Sequence, residues 1–353
     1  MKNEKLKMLL GGGIIGLLAV FLVKQGNPGN MGICVACFWR DIAGALGLHR
    51  AAAVQYIRPE IIGFVFGAFA SSMFSKDFKA RGGSSPLIRF LLGVFMAIGA
   101  LVFLGCPLRM ILRLANGDLN ALIGTLGFVV GIMVGLYFLK NGYTLGRNKK
   151  ELQIVGYIMP LFAVMLLVFL VLKLEFILFS EEGPGSMHAP ILISLVAGII
   201  TGILLQRTRV CSAGAFRDLF LIKDMHFMYG IIGIFIAALI GNLTFGGSFK
   251  LGFEGQPVAH SEHIWNFLGM TLVGFAGILL GGCPIRQTIL AGDGDADAGI
   301  TIFGLLIGAA IAHNFGLAAS PKGAPLNGRI AVIIGLILCT IIAYIYTNKR
   351  AEG

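Results

Sequence analysis

Ten long apolar stretches, separated by short polar segments, make up most of this chain. Several of them, such as residues 152–179, are long enough to cross a hydrocarbon core of about 30 Å as a helix. Only 13% of the 353 residues are charged, whereas about 25% is usual in a soluble domain. The sequence therefore predicts an all-α polytopic membrane protein. The stretches lie near residues 9–23, 54–75, 87–105, 119–139, 152–174, 189–205, 228–246, 265–282, 298–316 and 330–347.

The basic residues, which give a net charge of +11, lie mostly between the apolar stretches. This distribution is typical of loop charges that set orientation in a membrane, and no nucleic-acid-binding motif accompanies it. Segments 75–83 and 140–150 are basic, segment 180–188 is acidic, and both termini carry Lys or Arg. The positive-inside rule then predicts that both termini are cytoplasmic. The first stretch has no obvious small-residue cleavage site after it, so we expect a retained helix.

Alignment of the chain with itself shows an internal repeat at one ungapped offset of 177 residues. Two separate motifs, Cys-x5-Arg-Asp and Cys-Pro-x-Arg, each occur twice at this offset. Their agreement indicates a duplicated chain. The matched pairs are Cys34 and Cys211, Arg40 and Arg217, Asp41 and Asp218, His49 and His226, Cys106 and Cys283, Pro107 and Pro284, Arg109 and Arg286, Gly117 and Gly294, Asp118 and Asp295, Gly127 and Gly304, and Gly131 and Gly308.

The repeat predicts four parts: residues 1–150 (first repeat, four spans and two Cys-containing hairpins), 151–186 (linking span), 187–317 (second repeat) and 318–353 (C-terminal span and tail). An even number of spans per repeat plus one linking span gives the repeats opposite orientations, as in many transporters. Cys34 and Cys106 then lie toward the outer side, and Cys211 and Cys283 toward the inner side. We expect paired re-entrant short helices and an hourglass-like interior, because non-helical backbone at membrane depth must be buried or line a cavity.

Each Cys-Pro-x-Arg motif predicts a helix break at the end of an apolar stretch. A residue before proline avoids the helical region, whereas proline suits the first turn of a new helix. We therefore expect Cys106 and Cys283 to cap short helices, with Arg109 and Arg286 in the first turn. The positive helix end and the arginine both attract anions and favour a thiolate. The alternative is a kink with a buried thiol and an arginine that reaches the interface; two repeat-related copies favour the anion site.

Each Cys-x5-Arg-Asp motif, if helical, brings its cysteine and its aspartate onto one helix face. An arginine and an aspartate in apolar surroundings are costly and are expected to pair. We favour a structural pair that braces the hairpin over direct contact with a ligand, whereas the cysteine is a candidate for a line of thiols through the protein. The residues concerned are Cys34, Arg40 and Asp41 in the first copy, and Cys211, Arg217 and Asp218 in the second.

The other residues that could bind a metal or take part in redox chemistry are only weakly supported by their sequence pattern. Cys37 completes a lone Cys-x2-Cys, which is weak support for zinc or redox chemistry. Cys339 lies within an apolar stretch and is expected to be an inert packing residue, and packing or an interface is favoured for His49 and His226. The aspartates of segment 292–299 lack the glycine and distal glutamate of a calcium loop, so an acidic helix start is expected. The sequence predicts no metal and no cofactor.

As a set, the two copies of both motifs resemble the YeeE/YedE family of bacterial membrane proteins, described as sulfur-compound transporters. The resemblance spans nearly the whole chain, and segment 30–44 is closer to the YedE branch, proposed to handle selenium. It implies an hourglass-shaped protein of the cytoplasmic (inner) membrane that takes up thiosulfate or a selenium compound. It also implies that Cys34, Cys106 and Cys283 contact the substrate, with Cys211 as a fourth, and that a cytosolic TusA-like sulfur carrier protein receives the cargo.

The favoured hypothesis is a transporter rather than an enzyme, in which a line of thiols passes a small sulfur or selenium anion stepwise through the bilayer. No GxxxxGK[ST] loop is present, so the sequence does not support direct energisation by a nucleotide. The alternatives are a membrane sulfurtransferase or thiol oxidoreductase that uses the same cysteines, and a structural or regulatory membrane protein. The predicted pathway residues are Cys34, Cys106, Cys211 and Cys283, supported by Arg109, Arg286, Arg40, Asp41, Arg217 and Asp218.

Overall fold

A computed structural model describes residues 2–246 and 249–348, which form fourteen α-helices. Ten segments of this part of the chain are long and apolar enough to cross a membrane, close to the positions expected from the sequence. The protein is therefore an all-α, multi-pass membrane protein. The helices are α1 (Lys2–Lys24), α2 (Val35–Ala45), α3 (Pro59–Phe74), α4 (Pro86–Phe103), α5 (Pro107–Ala115), α6 (Leu119–Lys140), α7 (Gln153–Leu172), α8 (Ile191–Thr208), α9 (Ser212–Ile222), α10 (His226–Gly241), α11 (His263–Leu280), α12 (Pro284–Gly292), α13 (Ala296–Asn314) and α14 (Leu326–Asn348).

Four minor elements complete the described structure. A 3-10 helix covers Ala52–Val54, and a π-helical turn, Asn242–Gly246, continues α10. Strand β1 (Arg81–Gly82) pairs antiparallel with β2 (Lys149–Lys150), which joins two of the basic segments.

The helices follow the same order in both halves of the chain. Helices α4 and α11 begin 177 residues apart, and so do the short helices α5 and α12, and α2 and α9. In each half, one short helix follows the first long helix and another follows the third. This order supports the duplication inferred from the sequence; the opposite orientation of the repeats stays a prediction.

Long helices of one half pack mainly against long helices of the other. Helix α1 lies against α10, α8 against α3, α4 against α13, and α11 against α6. Glycine allows the closest approaches: a Cβ on Gly12 would overlap the carbonyl oxygen of Gly230, and one on Gly127 would overlap that of Phe267. Small residues that let backbones approach are typical of helix contacts in lipid. The two halves therefore share one interior.

The short helices α5 and α12 lie in this interior. Eight of the nine residues of α5 are buried, and so are seven of the nine residues of α12. Large apolar side chains such as Leu161 of α7 and Ile337 of α14 are exposed, as expected for helices that face lipid. The cysteines at the two predicted breaks, Cys106 and Cys283, are only 1% exposed, in agreement with the rule that irregular backbone at membrane depth is buried or lines a cavity.

Candidate functional site

Four cysteines occupy the same structural position, the N-cap of a short helix. The backbone of each is extended, the next residue begins the helix, and all four thiols are free and buried. The prediction that Cys106 and Cys283 cap short helices is confirmed. Each thiol thus lies at the end of a helix where the dipole is positive. Cys34 caps α2, Cys106 caps α5, Cys211 caps α9 and Cys283 caps α12.

The Gly-Cys-Pro sequence explains the breaks before α5 and α12. Helix α4 ends where Leu104 adopts a left-handed φ of 61°, and the N–H of Gly105 then donates to the carbonyl of Ala100 at 2.8 Å. Helix α11 ends in the same way at Gly281, with a φ of 79°. Proline begins the next helix, where a missing N–H costs nothing. A Cβ on Gly105 would lie 3.1 Å from Cδ of Arg109, so this glycine lets the arginine fold back across the break.

The first cysteine cluster consists of Cys34, Cys37 and Cys106. The Cys34 side chain interacts with those of Cys37 and Cys106, so the three thiols are neighbours. Nη1 of Arg109 donates to Sγ of Cys37 at 3.5 Å. Sequence analysis missed Cys37 because a lone Cys-x2-Cys is a weak signal. The cluster gathers three thiols and one guanidinium in a fully enclosed space.

Arg109 is a buried cation held by backbone carbonyls. Its side chain is 0% exposed. It donates to the carbonyl oxygens of Leu104 at 2.6 Å, Asn30 at 2.8 Å and Val258 at 3.1 Å. Among the described residues, none of the ion pairs involves Arg109. Its charge is therefore available to a bound anion, while its position is fixed from three directions.

The second cysteine cluster consists of Cys211 and Cys283, whose sulfur atoms are 3.4 Å apart. Two backbone N–H groups point at Sγ of Cys211: that of Gly214 at 3.4 Å and that of Cys283 at 3.5 Å. Both thiols are free. The cluster is a thiol pair at two adjoining helix N-termini, where exposed N–H donors favour negative charge.

Arg286 occupies the position in the second half that Arg109 occupies in the first, but it lacks equivalent partners. Its Nη1 is buried without a hydrogen-bond partner among residues 2–246 and 249–348. Near it, the carbonyl of Leu280 at the end of α11 accepts from Nε2 of Gln287, and not from Arg286, at 3.2 Å. The same motif thus gives an arginine held by three main-chain carbonyls in one half and an arginine with an unpartnered nitrogen in the other.

The arginine and aspartate of each Cys-x5-Arg-Asp motif form the expected ion pair. Nη2 of Arg40 lies 2.6 Å from Oδ1 of Asp41, and both side chains are buried. Nε of Arg217 lies 2.7 Å from Oδ1 of Asp218, and the Arg217 side chain is 33% exposed. Sequence analysis missed Arg58, whose Nε contacts the second oxygen of Asp41 at 2.7 Å. Asp41 therefore compensates two buried arginines, which is a structural role.

A buried hydrogen bond joins the helices that begin at the two clusters. Nε1 of Trp39 in α2 donates to Oγ1 of Thr288 in α12 at 3.0 Å. Helix α2 begins after Cys34 and α12 begins after Cys283, so the bond fixes one cluster relative to the other. Neither residue carries a motif, and the contact spans 249 positions, which is why the sequence gives no sign of it.

Each cluster region is braced by a connecting segment from the other half. A carbonyl of segment 249–262, which precedes α11, accepts from Arg109 beside the first cluster. Segment 75–85, which precedes α4, lies against the turn after α12, where Nε of Arg81 contacts Asp295 at 2.7 Å. Each segment also forms one isolated parallel β-bridge with the other half: Arg81 pairs with Asp295, and Gly252 pairs with Asp118.

Comparison with known proteins relates this arrangement to sulfur transport. The family model described as sulphur transport matches residues 207–350, which include the second cluster. The thiosulfate transporter TsuA of Escherichia coli (strain K12) is 26% identical over 141 residues, 40% of this chain and 38% of that protein. The probable transporter YedE of Salmonella typhimurium is 25% identical over 270 residues, 71% of this chain and 63% of that protein. The thiosulfate transporter TsuA of Spirochaeta thermophila is 31% identical over 100 residues, 28% of this chain and 29% of that protein.

The chain is similar to members of the YeeE/YedE family. It spans less than two thirds of the length of each of these three relatives. The expected family resemblance is confirmed, and the family is one of membrane proteins, in agreement with the ten apolar spans.

The remaining candidates from the sequence lie outside the clusters. His49 bonds a main-chain carbonyl at 3.0 Å and stacks on His313 at 4.6 Å, whereas His226 begins α10. Cys339 is buried in α14. The acidic helix start is confirmed, because Asp295 caps α13 and accepts from a backbone N–H at 3.1 Å. Among residues 2–246 and 249–348, no group of three or more His, Cys, Asp or Glu side chains has a metal-binding arrangement.

Proposed function

We propose that this protein transports a small sulfur-containing anion across the bacterial inner membrane, with thiosulfate as the first candidate and a selenium compound as the second. One observation carries the proposal: four cysteine-capped short helices converge in two buried thiol clusters, and an arginine follows each Cys-Pro break. Relatives named thiosulfate transporters support a sulfur anion. The relative named probable transporter YedE aligns over more of the chain, which keeps selenium as the second candidate.

The chemistry of the clusters suits a soft anion. Helix N-termini and guanidinium groups attract negative charge. Thiols are weak hydrogen-bond donors, so they hold a terminal sulfur or selenium atom without trapping it. Successive sites of modest affinity let a substrate enter and leave again. In this proposal the anion moves from the first cluster to the second by exchanging one set of thiols for the next.

The predicted pathway residues take distinct roles in this mechanism. The cysteine thiols contact the anion, and Arg109 and Arg286 supply charge. The two Arg–Asp pairs hold the helices that begin at the clusters. The pathway thiols are Cys34, Cys106, Cys211 and Cys283, with Cys37 added by its contact with Arg109; the bracing pairs are Arg40 with Asp41 and Arg217 with Asp218.

We further propose that the halves are inverted repeats, residues 1–150 and 187–317, around an hourglass-like interior, with 151–186 as the linking span and 318–353 as the C-terminal span and tail. Both termini are then cytoplasmic, so the first cluster faces outward and the second inward. The basic segments 75–83 and 140–150 support this orientation by the positive-inside rule. A cytosolic TusA-like sulfur carrier protein is proposed as the acceptor of the cargo, by family resemblance.

Uptake by the purified protein tests the proposal. Proteoliposomes that contain the wild-type chain are expected to accumulate labelled thiosulfate faster than protein-free vesicles, and excess unlabelled thiosulfate should abolish the difference. A selenium compound that competes more strongly than thiosulfate would make selenium the cargo. Absence of uptake, combined with a persulfide on a cysteine and released sulfite, would replace transport by the sulfurtransferase alternative.

Replacement of Arg109 by glutamine should weaken uptake by lowering the affinity for the anion. A buried charge-assisted hydrogen bond contributes about 1.5–3 kcal/mol, so the apparent KM should rise about 10- to 100-fold. Arg109→Lys should recover part of the loss, since one ammonium group keeps the charge but cannot reach three carbonyls and a thiol at once. The measurement is uptake rate against thiosulfate concentration.

The control for this prediction is Arg329→Gln. Arg329 also pairs through its guanidinium, with Glu262 at 2.6 Å, but it is partly exposed and makes no contact with either cluster. Its replacement should leave the apparent KM unchanged. Equal effects at both positions would show that Arg109 acts through general stability and not through the anion.

A further inference from the structure

The two halves differ in charge at the residue that ends each Cys-Pro-x-Arg helix. Asn116 ends α5 and Asp293 ends α12, at positions 177 residues apart. The first half therefore has a neutral side chain where the second half has a carboxyl group. Because the preceding motifs match, this difference gives the second cluster a titratable group that the first one lacks.

Asp293 and Arg286 each present an unsatisfied polar atom to a buried space. Asp293 is 8% exposed, and its Oδ1 has no hydrogen-bond partner within residues 2–246 and 249–348. Nη1 of Arg286 is likewise buried without a hydrogen-bond partner among these residues, and the charges of the two side chains interact. Buried polar atoms are rarely left unpaired without a functional reason. A carboxyl group and a guanidinium group with unpartnered atoms lie at the two ends of one short helix. This arrangement points to ligands that bind at these two groups.

We propose that Asp293 is a proton-binding site that competes with the transported anion for Arg286. With a proton on Asp293, the carboxyl group is neutral and Arg286 holds the anion beside Cys211 and Cys283. Without the proton, the carboxylate repels the anion and takes its place at Arg286. The inference rests on the proposed transport function and extends it to the step of release at the second cluster.

The surrounding charges are consistent with an exchangeable proton. Burial raises the pKa of Asp293 to about 7, and the arginines oppose this shift. The carboxyl is therefore protonated below that pH and ionised above it. Arg81 forms an ion pair with Asp295 at 2.7 Å, and its charge is one of those that oppose the rise in the pKa of Asp293. The charged and titratable groups around Asp293 and Arg286 are Arg81, Asp77, Arg209, Asp295, Cys211 and Cys283.

Anion affinity measured at two pH values tests the proposal. Purified wild-type protein should bind thiosulfate about fivefold more tightly about one pH unit below the pKa of Asp293 than about one unit above it, a typical size for coupling between sites. Asp293→Asn reproduces the neutral side chain of Asn116 and should bind tightly at both pH values. Asp293→Glu restores a carboxyl group and should restore the pH dependence.

The control is Asp77→Asn, which removes an exposed carboxylate whose charge acts on Asp293; binding should still depend on pH, with the midpoint shifted to lower pH. Wild-type affinity that does not change with pH would overturn the proposal, and so would an unchanged pH dependence in Asp293→Asn. If the wild type binds no thiosulfate at either pH, the proposed function fails. The proton site is then tested alone by infrared titration. The wild type should show a titrating carboxyl band that is absent from Asp293→Asn. If the wild type shows no such band, the proton site is wrong.

Discussion

Cys106→Ser is expected to reduce thiosulfate uptake by proteoliposomes to the level of protein-free vesicles, and Cys283→Ser should do the same. Each thiol caps a short helix at a helix break and is only 1% exposed. Serine is a good N-cap, so it preserves the helix start. It replaces a soft, weakly bonding thiol by a hydroxyl group that does not match a terminal sulfur atom. The loss therefore reports the chemistry of sulfur and not the fold.

Cys339→Ser is the matched control for these two variants. Cys339 is also fully buried and free, but it lies in α14, outside both clusters. The Cys339→Ser variant should take up thiosulfate at the wild-type rate once the amount of folded protein is equalised by size-exclusion chromatography. Wild-type rates in both Cys106→Ser and Cys283→Ser would rule out a thiol pathway. Loss in only one of them would limit the sulfur contact to that cluster.

The helix breaks were predictable because their cause is local. Proline constrains the residue before it and begins the helix after it, so Cys106 and Cys283 could be assigned as caps from the sequence alone. The pairing of Arg40 with Asp41 was predictable for a similar reason, since charged neighbours in apolar surroundings must compensate each other. The ten spans follow from the length of the apolar stretches.

The composition of the clusters was not predictable, because it depends on contacts between distant segments. Cys37 belongs to the first cluster only because Arg109, 72 residues later, reaches its sulfur. The difference between Arg109 and Arg286 is also invisible in two motifs whose cysteine, proline and arginine all match. It arises from the segments that carry Asn30 and Val258, whose carbonyls accept from Arg109. A duplicated motif therefore predicts an equivalent position without predicting an equivalent role.

Asp41→Asn should lower the free energy of unfolding by about 3–5 kcal/mol, the usual cost of removing one partner from a buried ion pair. Asp41 contacts Arg40 at 2.6 Å and Arg58 at 2.7 Å, and all three side chains are at most 3% exposed. Without the carboxylate, two guanidinium groups remain buried with no counter-charge between them. The loss is measured by reversible unfolding in mixed micelles, or as a lower midpoint of thermal aggregation in detergent.

The repeat provides the control, since Asp218 is the equivalent residue in the second half. Its single partner, Arg217, is 33% exposed and can turn to water when the carboxylate is removed. Asp218→Asn should therefore cost only about 0–1 kcal/mol, as exposed pairs do. Equal losses at the two positions would contradict the role assigned to Arg58. A larger loss of unfolding free energy in Asp41→Asn means that the first copy of the motif stabilises the fold, whereas the second copy contributes little to stability.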